Sequence, residues 1–135
     1  FTVETKLDLG EDTTFVTGGT CSAMRAIGMF HIIGFRQFHL FGFDASIPNV
    51  TEEMKNEKSE DGKPKYIPVE CHGGKFWTTG ELLAMAQDCE RLFDNKDIDM
   101  TLHLHGENTL VSKLYEKSYH GKKEYYTSYF PKVAA

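Results

Sequence analysis

A glycine turn, Gly18-Gly19-Thr20, closes the β-branched run TTFVT near the start of the chain. When such a turn precedes a helix, its backbone N–H groups and the positive end of the helix dipole bind a phosphate or a carboxylate. The alternative is a tight strand-to-helix turn, in which glycine only avoids a steric clash. Because neither GxGxxG nor GxxxxGK[ST] occurs in the chain, the turn by itself leaves both interpretations open.

Asp44 and Ser46 follow a second apolar run, RQFHLFGF. A carboxylate at the end of a buried strand ligates Mg²⁺ or hydrogen-bonds a ribose or substrate hydroxyl, since carboxylate oxygens suit hard cations. The bland alternative is that Asp44 and Ser46 together cap the next turn. The position at a strand end favours a functional role for Asp44.

A third polar loop, His105-Gly106-Glu107-Asn108, follows the strand-like run IDMTLHLH. Strand alternation places His103 and His105 on the face opposite the leucines. No nearby Cys or carboxylate completes a metal site with these two histidines, so His103 is interpreted as structural. His105 reaches the loop and is kept as a catalytic candidate.

The segments before these loops predict the elements that position them. Residues 13–17 are predicted to form the first strand. A helix capped by Thr20 is predicted from residue 22 to about 33, apolar on nearly every side with Arg25 and His31 as its only strongly polar members, and Gly34 ends it in a left-handed conformation. An all-round apolar helix predicts burial on every side. Strand, helix and strand make a βαβ unit with parallel strands, and a helix capped by Thr79 precedes the third strand. The carboxyl ends of parallel strands share one edge, where open α/β sheets bind ligands. We therefore expect the three loops to meet there.

The remaining segments predict support and association. Residues 49–65 are densely charged and predict a mobile surface insertion. Residues 66–79 predict a hairpin with a glycine turn at His72-Gly73-Gly74, in which Pro68 confines the first arm to a sheet edge and Trp77 lies in the core. The tyrosine-rich tail, residues 119–135, is expected to pack against the sheet or against another subunit, which would make the protein a homo-oligomer.

Composition excludes several functional classes. The 135 residues predict one domain, 1–135, with a net charge of −5 and no basic stripe, so a nucleic-acid partner is not expected. No apolar run reaches the roughly 18 residues that span a bilayer, and membrane insertion is not expected either. Three cysteines without CxxC spacing predict reduced thiols and a cytoplasmic location. Because the chain begins with Phe1, we expect it to be a processed piece or a segment of something longer.

The run VTGGTCSAMRAIGMFHIIGFRQFHLFGFDAS resembles the 6-hydroxymethylpterin diphosphokinase MptE-like family, whose members show a G-G-[ST] turn, a small-residue helix and a strand ending in G-x-D-x-[SC]. FWTTGELLAMAQDCERLF and the strand that leads to HGENTLV look like later segments of the same family. The similarity covers about residues 13–112.

This resemblance implies a Rossmann-like fold, distantly similar to bacterial sialyltransferases, and transfer of diphosphate from ATP to a pterin alcohol with Mg²⁺. When the two are compared position by position, the glycine turn at residues 18–20 matches the family's turn, and Asp44 and Ser46 match its acidic loop. Full-length members carry a further G-x-G-P-S loop upstream, which residues 1–12 do not match. The chain is therefore expected to be the C-terminal part of a larger domain, or a compact version of it.

Together, the residues and the resemblance predict an α/β fold, three-layered and Rossmann-like, with a mostly parallel sheet. The expected activity is Mg²⁺-dependent transfer of a diphosphoryl or glycosyl group from ATP or a nucleotide sugar to a hydroxyl acceptor. The predicted catalytic residues are Asp44, His105 and Glu107, with Asp44 as the Mg²⁺ ligand. The predicted donor-binding residues are Gly18, Gly19, Thr20, Ser46 and Asn108. The alternative is a non-catalytic binding or assembly module that keeps the fold without the upstream loop.

Overall fold

The structure, a computed structural model, describes residues 21–122. The predicted strand at 13–17, the glycine turn and the tail beyond residue 122 lie outside the described residues. The elements, in chain order, are α1 (Ser22–Ile32), β1 (Gln37–Phe41), α2 (Glu52–Lys55), β2 (Ile67–Cys71), β3 (Gly74–Thr78), α3 (Gly80–Asp94), β4 (Thr101–His105), α4 (Leu110–Lys117) and α5 (Tyr119–Lys122).

The protein is mixed α/β, with a small parallel sheet as predicted. β1 and β4 pair in parallel from Gln37 opposite Thr101 to Phe41 opposite His105, and they form a two-stranded sheet within residues 21–122. Parallel pairing requires a long crossover, which here contains the hairpin and α3. The loops after β1 and β4 therefore leave the sheet at the same edge.

The core lies on one face of the parallel pair. Leu40 and Leu102 are buried there, because alternate strand residues point to the same side. Helices α1, α3 and α4 contribute buried residues to this core, and α3 supplies Ala86, Cys89 and Phe93. The core residues outside α3 are Met24, Ile27, Leu40, Ala45, Met100, Leu102, Leu110 and Val111.

Helix α1 ends as the sequence predicted, in a Schellman motif. Gly34 has a φ of +114°, its N–H donates to the His31 carbonyl, and the Phe35 N–H donates to the Phe30 carbonyl. The rings of Phe30 and Phe35 meet edge to face with centroids 5.6 Å apart, which supplies the apolar contact of this motif. A side chain at position 34 would strain the positive φ.

The prediction that α1 is buried on every side is wrong. Only Met24 and Ile27, three residues apart on one stripe, are fully buried, and Ile32 and Ile33 are 57% and 63% exposed. One helix stripe is all that the core face accepts, and uniform apolarity does not reveal which stripe packs. The predicted cap also differs, because Cys21 occupies the N-cap position and makes no capping hydrogen bond with its side chain.

The hairpin is confirmed: β2 and β3 pair antiparallel around His72 and Gly73, whose φ values of 47° and 83° suit a tight primed turn. The charged segment before it has local structure, since Thr51 caps the short helix α2 and Lys58 pairs with Pro64 in an isolated bridge. Most of its side chains are exposed. Whether this segment moves as an insertion stays a prediction.

Helices α3 and α4 begin at threonine caps. The Thr79 hydroxyl accepts from the Leu82 N–H, as predicted, and Thr109 and Ser112 form a reciprocal capping box. Among residues 21–122, no helix combines the length and the apolar character needed to cross a membrane.

Candidate functional site

A cleft of about 650 Å³ lies beside the carboxyl ends of β1 and β4. Its volume falls within the range of small-molecule sites in proteins. The loops after the two parallel strands, the strand β3 and one residue of α4 form its walls. The lining residues are Asp44, Ser46, Ile47, Pro48, Asn49, Gly74, Lys75, Phe76, Trp77, Glu107, Asn108, Thr109 and Lys113.

The loop after β1 is fixed on one side by the first turn of α4. The Ser46 hydroxyl accepts from the Leu110 N–H at 3.2 Å, and the Asp44 carbonyl accepts from the Val111 N–H at 3.1 Å. These two amides belong to the helix end that would otherwise attract an anion. The loop thus accepts hydrogen bonds from these two α4 amides, and the Ser46 hydroxyl caps α4 from a position 64 residues away in the sequence.

The same loop is fixed on its other side by β3. The Thr78 hydroxyl, fully buried, donates to the Ala45 carbonyl at 2.8 Å, and the Ile47 N–H donates to the Trp77 carbonyl at 2.8 Å. A segment held from both sides positions its side chains before any ligand arrives, which lowers the entropy lost on binding.

Backbone strain concentrates around the cleft. Of the four non-glycine residues with positive φ in the described part of the chain, three lie in its loops: Ala45 at 53°, Asn49 at 56° and Asn108 at 58°. Asparagine tolerates the left-handed region of φ, whereas for alanine this conformation costs roughly 1 kcal/mol. Such residues persist where the surroundings over-determine them, and they cluster at ligand sites.

Two predicted catalytic carboxylates, Asp44 and Glu107, come together in this cleft from separate loops. Both side chains are exposed, and neither makes a hydrogen bond or ion pair with another residue of the described range. Magnesium binds proteins through one or two carboxylates and takes its other ligands from water and substrate phosphates. No group of three metal-ligating side chains forms within residues 21–122.

Trp77 stands in the cleft and not in the core, contrary to the sequence prediction. Its β3 neighbours Phe76 and Thr78 turn inward, so alternation directs Trp77 to the opposite face of the hairpin. The ammonium of Lys55, from α2, lies 5.5 Å from the ring centroid.

Two lysines add positive charge to the cleft. Lys75 pairs with Glu70 at 3.7 Å, and Lys113 pairs with Glu116 at 3.6 Å. Exposed pairs of this length are worth little, so either ammonium can leave its glutamate for a ligand phosphate at small cost.

His105 does not line the cleft. It lies on the sheet face opposite the core, where its Nε2 and the Nδ1 of His39 share a hydrogen bond of 2.8 Å and its ring stacks on Phe41. His103 stacks on His39 with ring centroids 4.4 Å apart. Burial lowers the pKa of His39, and His105 lowers it further; burial and both neighbours lower the pKa of His103.

The structure therefore brings together four predicted site residues, Asp44, Ser46, Glu107 and Asn108, and places His105 apart from them. The donor-binding role of residues 18–20 stays a prediction. The sequence interpretation missed Asn49, Lys75, Trp77 and Lys113 as cleft residues. Period-2 alternation along GKFWT places Lys75 and Trp77 on one face of the strand and Phe76 on the other, and this was the signal against a core role for Trp77.

Comparisons of the chain with models of protein families, with curated proteins and with solved structures find no match. What the cleft does is therefore inferred from its own residues.

Proposed function

We propose that the chain is a Mg²⁺-dependent transferase that uses a nucleotide-activated donor, ATP or a nucleotide sugar, and passes a diphosphoryl or glycosyl group to a hydroxyl. The observation that carries this proposal is the meeting of Asp44 and Glu107 in one cleft at the carboxyl edge of a parallel strand pair. We also propose that the chain has a three-layer Rossmann-like fold of the MptE-like type, and the parallel pairing of β1 with β4 supports this proposal.

Asp44 and Glu107 would hold the metal, whose chemistry is to neutralise charge on the donor phosphates. Lys75 and Lys113 line the same cleft and are paired only with exposed glutamates, so they supply further positive charge to those phosphates. The loop that carries Asp44 is held by β3 and by α4, which keeps the carboxylate in place without cost at the moment of reaction.

The reaction requires positioning more than covalent assistance. The acceptor oxygen forms a bond to phosphorus or to the sugar carbon while the bond to the nucleotide breaks and its electron pair leaves with the nucleotide. The hydroxyl proton passes to solvent, because both cleft carboxylates would hold the metal. Such transfers gain most from orientation and charge stabilisation, which is what this cleft provides.

Calorimetric titration tests the proposal with ATP, CTP and a CMP-sugar, each with and without Mg²⁺. We expect binding that requires Mg²⁺ and weakens at least about tenfold, or 1.4 kcal/mol, in Asp44→Asn and Glu107→Gln. Asp97→Asn is the matched control, because this exposed carboxylate lies outside the cleft. Absence of heat with all three donors, or equal loss in the control, would overturn the proposal.

One observation favours the second candidate, a non-catalytic assembly module. Met29, Phe30, Ile32, Ile33 and Phe35 leave an apolar surface on and after α1, each between 42% and 63% exposed. Large exposed apolar patches mark association sites. Under this candidate a second copy of the chain covers the surface, and Ile33→Asp converts a dimer to a monomer in sedimentation velocity. A monomeric parent protein would remove the candidate.

A further inference from the structure

The chain's only tryptophan is in an unusual position for a large aromatic residue. Trp77 is half-buried on the outer face of the hairpin, and it is not among the hydrophobic side chains that pack against the core in the described part of the chain. A core role therefore does not explain it. An aromatic ring on a cleft wall offers a flat apolar surface to a ligand.

The ring has one occupied side. Lys55 approaches it with its ammonium 5.5 Å from the centroid, and Lys55 itself is not a lining residue. The backbone of Trp77 is also fixed, since its carbonyl accepts the 2.8 Å hydrogen bond from Ile47. Trp77 is thus held from two directions beside the cleft that it lines.

The surroundings of this ring are polar. Eight of the thirteen lining residues carry polar or charged side chains. Lys75 lies two residues before Trp77 on β3, and Asn49 lies two residues after Ile47, whose N–H donates to the Trp77 carbonyl. A nucleobase has two apolar faces and is best enclosed between two aromatic or aliphatic walls. A pyranose ring has an apolar face of C–H groups and a rim of hydroxyls, which matches one aromatic wall in a polar cleft.

We propose that Trp77, Asn49 and Lys75 form a subsite for a pyranose sugar. The sugar stacks its C–H face on the indole, and its hydroxyls exchange hydrogen bonds with the amide of Asn49 and the ammonium of Lys75. The further statement that this sugar supplies the acceptor hydroxyl rests on the proposed function; the binding of the sugar does not.

Saturation-transfer NMR on the full chain tests the subsite with methyl β-D-glucopyranoside and methyl N-acetyl-β-D-glucosaminide, with adenosine and glycerol as comparison ligands. We expect transfer to at least one glycoside, strongest at H1, H3 and H5, which lie on one face of the ring. Dissociation constants in the millimolar range are typical of one stacked ring and a few hydrogen bonds. Trp77→Phe should weaken binding about two- to fivefold, and Trp77→Ala at least about tenfold.

Phe35→Ala is the matched control, because it also truncates an exposed aromatic residue but lies outside the cleft. Circular dichroism of each variant confirms that it is folded, and a Trp77→Ala protein that fails to fold is replaced by the Asn49→Ala and Lys75→Ala pair. Transfer to neither glycoside, transfer to adenosine alone, or loss in Phe35→Ala equal to the loss in Trp77→Ala would overturn the subsite.

These outcomes separate the subsite from the proposed function. Sugar binding without any Mg²⁺-nucleotide binding keeps the subsite and removes the transferase. Nucleotide binding without sugar binding keeps the transferase and removes the subsite.

Discussion

The buried hydroxyl of Thr78 donates a 2.8 Å hydrogen bond to the carbonyl of Ala45, a residue held at a φ of 53°. This bond joins the hairpin to the loop that carries Asp44, and so it connects the core to the cleft. The carbonyl of Ala45 depends on it, because a buried acceptor without a donor loses its hydration and gains nothing in exchange.

Thr78→Val should therefore destabilise the protein by about 1–3 kcal/mol, since valine keeps the shape and removes the donor. Urea unfolding measures the free energy of unfolding. Thr78→Ser keeps the hydroxyl and serves as the control, with a smaller loss from the missing methyl. Equal losses in the two variants would show that the hydrogen bond does not hold the loop in this geometry.

Ser46→Ala should cost about 1 kcal/mol, the usual value for loss of a helix cap, because the Leu110 N–H then has no acceptor at that position. The exposed Ser59 provides the comparison, as its side chain makes no such contact within the described residues. Ser59→Ala should leave the urea midpoint within experimental error. A midpoint unchanged in Ser46→Ala would remove the capping role.

Gly121→Ala should destabilise the protein strongly, because a Cβ at this position would overlap the backbone carbonyl of Tyr115. Backbone cannot yield as a flexible side chain does, so we expect a loss above about 2 kcal/mol. Gly80→Ala is the matched variant: it lies at the start of α3 with no atom near its would-be Cβ, and helix propensity predicts a gain of up to about 1 kcal/mol. Thermal unfolding of the two variants should move in opposite directions, and movement in the same direction would contradict the packing at α5.

Stability should fall as pH decreases through the normal histidine range. The pKa values of His39 and His103 are lowered in the folded protein, so between the ordinary value of 6.5 and the folded values the unfolded chain binds more protons. The stabilisation is complete above pH 6.5 and is lost as pH falls toward the folded pKa values. Urea midpoints between pH 5 and 8 measure it. The dependence of the urea midpoint on pH should become weaker in His103→Gln and should persist in His72→Asn, which changes an exposed turn residue. A parent protein whose urea midpoint does not change with pH would refute the role of these two histidines.

The sequence predicted the elements with strong local signals. The parallel direction of β1 and β4 was predicted from the helix that precedes each strand, although their direct pairing was not. The Thr79 cap and the turn at Gly34 follow from residues with one favoured backbone role. The meeting of Asp44 and Glu107 followed from topology, because parallel strands deliver their loops to one edge.

What the sequence did not predict depends on contacts between distant residues. The side of α1 that packs is decided by α3, through contacts such as Met24 with Cys89, and nothing local to α1 encodes it. Ser46 caps a helix 64 residues away, a contact that the sequence did not predict, and its binding of donor stays a prediction. Trp77 was assigned to the core because tryptophan is usually buried, whereas its strand position directs it outward.

Mn²⁺ in place of Mg²⁺ tests the central claim, that Asp44 and Glu107 form one metal-nucleotide site, most directly. With nucleotide present, paramagnetic broadening of backbone amide signals should concentrate in the loops around Gly42 and Gly106. The bound Mn²⁺ should also quench the fluorescence of Trp77. Both effects should vanish in Asp44→Asn but not in Asp97→Asn. Broadening of only one of the two loops, or of neither, would contradict the shared site.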